Sequence, residues 1–72
     1  MLIVDRKEVS LGDFDAWGGA EDLKQQIIEA DKTEEFEQLI ADLYPDGIDE
    51  TELNDLMRFD DDWVRKSLCM YN

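Results

Sequence analysis

The sequence predicts a mainly α fold, a small bundle of four to five short helices behind a short N-terminal β segment. Three observations carry this reading. Apolar residues recur at spacings of three and four through most of the chain, Gly18-Gly19 and Pro45-Asp46-Gly47 punctuate it, and Ser, Thr or Asp stands where successive apolar stripes begin. With 72 residues there is room for one core only, so residues 1–72 form a single small domain. Apolar residues make up 43% of the chain and seven of its residues are aromatic, enough to exclude global disorder despite the high charge.

The elements follow in order. Leu2-Ile3-Val4 and the charged stretch Asp5 to Val9 suggest a short strand or hairpin-like opening, because β-branched residues cluster around a polar centre. Ser10 is placed to cap a short helix through Leu11, Phe14 and Trp17, whose spacing of three sets the large groups on one face; Gly18-Gly19 ends it. From Ala20 to about Ala30, Leu23, Ile27 and Ile28 oppose Glu21, Asp22, Lys24, Gln25 and Glu29, the pattern of an amphipathic helix.

Thr33 is a candidate N-cap for the next helix, with Glu34, Glu35 and Glu37 near its electropositive end and Phe36, Leu39, Ile40, Leu43 and Tyr44 as its apolar stripe. Tyr44-Pro45-Asp46-Gly47 stops it. Asp49 and Glu52 have the spacing of a capping box and precede Leu53, Leu56 and Met57. Phe59 leads into Asp60-Asp61-Asp62, any of which is suited to cap a last helix carrying Trp63, Val64 and Leu68, with Arg65 and Lys66 nearer its negative end. In so small a core Trp17 and Trp63 are expected to be buried rather than to serve as interface anchors.

Charge narrows the function. Twenty Asp and Glu against seven Lys and Arg, with no His, give a formal charge of −13. Sixteen acids but only Lys24 and Lys32 lie between Glu8 and Met57, so one large surface must be continuously negative. A negative charge on that scale disfavours direct binding to nucleic acid or to an anionic membrane. The single cysteine, Cys69, excludes an intrachain disulfide, and no apolar run approaches the length of a membrane span or a signal peptide; a cytoplasmic protein is expected.

Chemistry is poorly provided for. Without His the chain lacks the usual proton-transfer residue and the commonest transition-metal ligand, so acid/base work would rest on carboxylates alone. Among twenty acids, a close pair such as Asp13 and Asp15 arises by chance. Asp42 to Leu53 resembles a calcium loop with Gly47 at its sixth position, but Tyr44 and Leu53 stand where oxygen ligands are needed. The acidic helical composition invites comparison with acyl carrier proteins, yet neither Ser10 nor Ser67 has the context of a phosphopantetheine attachment site. Cys69 has only Arg65 and Lys66 near it in sequence and no resolving cysteine, so an incidental thiol is expected. The chain is accordingly expected not to be an enzyme, with no catalytic residue, cofactor or metal.

Four stretches carry a resemblance: Phe14-Asp-Ala-Trp17-Gly-Gly-Ala20, Asp42-Leu-Tyr-Pro-Asp-Gly47, Glu52-Leu-Asn-Asp-Leu56 and Phe59-Asp-Asp-Asp-Trp63. From Phe14 onward the chain resembles a family of small, mostly uncharacterised acidic proteins from phages and mobile elements of Gram-positive bacteria. These elements are turns, caps and aromatics, so they bear on fold. By analogy, small acidic phage proteins often resemble inhibitors of restriction or CRISPR nucleases.

The leading expectation is an acidic protein-binding module that mimics nucleic acid and inhibits a basic host nuclease or DNA-binding protein. Its expected contacts are Glu34, Glu35, Glu37, Asp60, Asp61 and Asp62. The alternative is a small structural or accessory protein acting through a helix face, with the acids serving solubility; a chain this short also stands to gain from homodimerisation.

Overall fold

The computed structural model describes residues 2–70, and Tyr71, one of the expected core aromatics, lies outside them. Two strands, β1 (Leu2–Val4) and β2 (Lys7–Val9), form an antiparallel hairpin with Leu2 opposite Val9 and Val4 opposite Lys7. Its two turn residues, Asp5 and Arg6, take φ of 51° and 68°. That is the left-handed pair a two-residue turn needs if it is to match the right-handed twist of the strands. An isolated two-stranded ribbon is marginal, and here a third segment supports it. Ile48 bridges Val4 in parallel, donating its N–H to the Ile3 carbonyl at 2.8 Å and accepting the Asp5 N–H at 3.0 Å.

Four α-helices follow: α1 (Ala20–Glu29), α2 (Thr33–Leu43), α3 (Glu50–Phe59) and α4 (Asp61–Ser67). The fold is therefore mainly α with an N-terminal hairpin, as the periodicity predicts. Helix α1 packs on α3, and α2 packs on β1. Their apolar stripes supply the interior: Leu23 and Ile27, Phe36 and Ile40, Leu53 and Met57, and Val64 and Leu68 are all buried together with Leu2, Leu11 and Phe14. Each helical pair is four residues apart, which puts both members on one face.

Several details differ from the sequence expectation. The expected helix through Trp17 is a single 3-10 turn, Leu11–Asp13, after which Phe14 is extended (φ −76°, ψ 120°). The Ser10 hydroxyl donates to the Asp13 carboxylate at 3.0 Å instead of capping the backbone, and the backbone of Trp17 is bonded to the buried Asn54 side chain of α3. Those long-range bonds draw the chain out of a helical path. Trp17 is 42% exposed; so is Trp63, beside the buried Val64 on α4, at 40%. Ile28 and Leu43 also stand outside the core, each at the edge of a stripe whose centre is already filled.

One cap position differs too. Lys32, not Thr33, occupies the N-cap position of α2. Asp49 and Asp60 hold the N-cap positions of α3 and α4, but neither side chain makes the cap hydrogen bond. The first N–H of α3, from Glu50, is directed at the Asp5 carboxylate of the hairpin turn, at 3.4 Å. An acid there also complements the helix dipole.

Candidate functional site

All but two of the twenty acids are exposed; Asp61 is half-buried and Glu37 is buried. Lys24 turns its ammonium onto the Phe14 carbonyl at 2.7 Å, and Arg65 pairs with Asp61 at 2.7 Å while also bonding Gln26. The chain thus presents carboxylates on every helix.

The six acids expected to make contact fall into separate places. Glu34 and Glu35 lie exposed in the first turn of α2, and Asp60 and Asp62 lie exposed around the start of α4. Asp61 is engaged by Arg65. Glu37 is a correction: it is 9% exposed, and its Oε2 accepts the Leu11 N–H at 2.8 Å. A buried amide donor left without a partner costs free energy, so this carboxylate is held inward as a structural acceptor.

The α3–α4 corner holds residues that the sequence reading did not join. Phe59, the last residue of α3, is 68% exposed, the most exposed large apolar side chain of the described residues. It lines a cleft of about 260 Å³ together with Tyr44, Glu52, Asp55, Leu56 and Asp60. The spacing explains the grouping. Glu52, Asp55 and Phe59 stand at i, i+3 and i+7, on one face of α3, while Leu53 and Met57 take the opposite face into the core. The spacing of Phe59 from Glu52 and Asp55 is the signal available in the sequence.

Arg58 completes this corner. Its guanidinium carbon lies 5.0 Å from the centroid of the Phe59 ring, within the range of a cation–π contact. The same side chain runs over Gly18-Gly19: a Cβ on Gly18 would lie 3.7 Å from the guanidinium carbon, and one on Gly19 would lie 3.5 Å from Arg58 Cγ. Gly18 adopts φ 63°, so the glycine that ends the Trp17 segment also gives Arg58 a smooth bed.

A cleft of about 570 Å³ has a different character. Lys32 and Arg65 are among its lining residues, beside Glu29 and Cys69, so its charge is mixed. A third cleft borders Glu34 and Glu37 on α2. Among the described residues no three acids gather to hold a metal ion, and no helix is long and apolar enough to cross a membrane.

Comparison of the chain with protein-family models, with curated proteins and with solved structures finds no match.

Proposed function

We propose that the chain is an acidic protein-binding module that occupies the basic nucleic-acid groove of a partner protein, as a phage-type inhibitor of a host nuclease or DNA-binding protein would. The observation that carries this reading is the outward display of eighteen carboxylates on so small a helical body. Such a field steers a basic partner and repels nucleic acid itself. Duplex DNA presents one charge per roughly 1.7 Å of axis, and a helical surface this rich in acids competes for the same groove.

Durable affinity needs desolvated apolar contact as well as charge. The α3–α4 corner offers it, since Phe59 is exposed among Glu52, Asp55 and Asp60. The test is capture of partners from a bacterial lysate on the immobilised protein, eluted by salt in parallel with duplex DNA. Recovery of a basic nuclease or DNA-binding protein displaced by both treatments supports the reading.

The exposed side chains of Ile28 and Leu43, 39% and 48% accessible, favour a second reading. In it the chain is an accessory module that contacts its partner, or a second copy, through a helix face, and the acids maintain solubility. Association insensitive to salt and to DNA selects that reading.

A further inference from the structure

We infer that the cleft at the α3–α4 corner receives an arginine side chain from the basic partner; this rests on the protein-binding reading above and names the contact that anchors it. The cleft joins two chemistries. Tyr44, Leu56 and Phe59 offer apolar and aromatic surface, and Glu52, Asp55 and Asp60 surround it with exposed carboxylates. An aliphatic stem ending in a planar cation complements both at once, because arginine buries its methylenes while its head pairs with carboxylate or stacks on a ring.

The molecule carries its own example of half of that contact. Arg58 already places a guanidinium 5.0 Å from the centre of the Phe59 ring. The ring is 68% exposed even so, leaving area for a second group on the cleft side. Arginine is favoured over lysine because a guanidinium is planar and weakly hydrated, and engages a carboxylate through two parallel N–H donors. Charge complementarity excludes an acidic or anionic occupant, since Glu52, Asp55 and Asp60 would repel it.

The test is an NMR titration of the isotope-labelled full chain with the blocked tripeptide acetyl-Gly-Arg-Gly-amide, alongside its uncharged citrulline counterpart. The expected result is saturable shifts confined to the amides of Glu52, Asp55, Leu56, Phe59 and Asp60, with ring-current shifts on the arginine methylenes. The citrulline peptide should leave those amides unmoved. Phe59→Ala should weaken the arginine peptide by about fivefold, the scale of an exposed cation–π contact, and its unchanged spectrum elsewhere should verify folding. Shifts spread over all acidic segments and indifferent to Phe59→Ala overturn the proposal, as does the absence of any shift.

Repeating the lysate capture with Phe59→Ala separates the two readings. Undiminished capture of a basic, DNA-displaced partner, with no localised arginine shift, removes the arginine site and leaves the module reading standing. A localised arginine site with no such partner does the reverse.

Discussion

The side-chain amide of Asn54 is fully buried in α3 and pairs with both backbone polar groups of Trp17: Oδ1 accepts its N–H at 2.9 Å, and Nδ2 donates to its carbonyl at 3.3 Å. The amide acts as a short piece of strand for a segment that has no other one. Asn54→Ala leaves two backbone groups without these partners and is expected to cost about 2–3 kcal/mol. Urea denaturation followed by tryptophan fluorescence measures it. Asn54→Asp is expected to cost at least as much, because a carboxylate cannot donate to the Trp17 carbonyl.

Glu37 separates structural from contact roles among the acids. Its carboxylate accepts the Leu11 N–H at 2.8 Å inside the protein. Glu37→Ala is expected to lower stability by about 1–3 kcal/mol, the cost of an orphaned buried donor. Glu37→Gln keeps an acceptor oxygen and is expected to cost less. On folded protein below the denaturation midpoint, neither is expected to change partner affinity as much as charge loss at Glu34 and Glu35 is expected to.

Two turn positions test the hairpin and its support. Arg6 holds φ 68°, a conformation that burdens side chains other than glycine. Arg6→Gly is expected to stabilise by about 0.5 kcal/mol, the relieved strain exceeding the extra freedom glycine gives the unfolded chain. Gly47 is the opposite case. At φ 104°, a Cβ there would approach Ile3 Cγ2 to 2.9 Å and the Ile3 carbonyl to 3.1 Å. Gly47→Ala is expected to lose about 2–4 kcal/mol through combined backbone strain and overpacking. Thermal unfolding of both variants checks the signs.

The helices were legible in the sequence because their stability follows local periodicity. Leu23 with Ile27, Phe36 with Ile40, and Leu53 with Met57 repeat at four and are buried. The segment from Ser10 to Trp17 was not legible, because its path is set by acceptors 26 and 37 residues away, on Glu37 and Asn54. Local spacing carries no trace of such bonds. Both tryptophans, expected in the core, stand exposed, while the smaller Ala20 and Val64 near them in sequence are buried. Of the expected contact acids, Glu34, Glu35, Asp60 and Asp62 are exposed. The apolar half of the corner was within reach of the sequence through the i, i+3, i+7 spacing of Glu52, Asp55 and Phe59.

Asp61 shows why counting acids overstates a contact surface. It pairs with Arg65 at 2.7 Å on successive turns of α4, and both side chains are partly exposed, 39% and 29%. A pair this accessible contributes little stability. Asp61→Asn is therefore expected to change stability by less than about 0.5 kcal/mol. It is also expected to weaken partner binding less than Asp60→Asn, whose carboxylate borders the cleft. Calorimetric affinities of the two variants make the comparison.

The exposed carboxylates are proposed to engage a basic nucleic-acid-binding groove. The most direct test is the salt dependence of affinity for the captured partner, measured with and without competing duplex DNA. It is run on the native chain and on a variant carrying Glu34→Gln, Glu35→Gln, Asp60→Asn and Asp62→Asn. Steep weakening with salt is expected for the native chain, with a shallower slope and lower affinity for the variant and displacement of both by DNA. Equal slopes, with DNA without effect, contradict it.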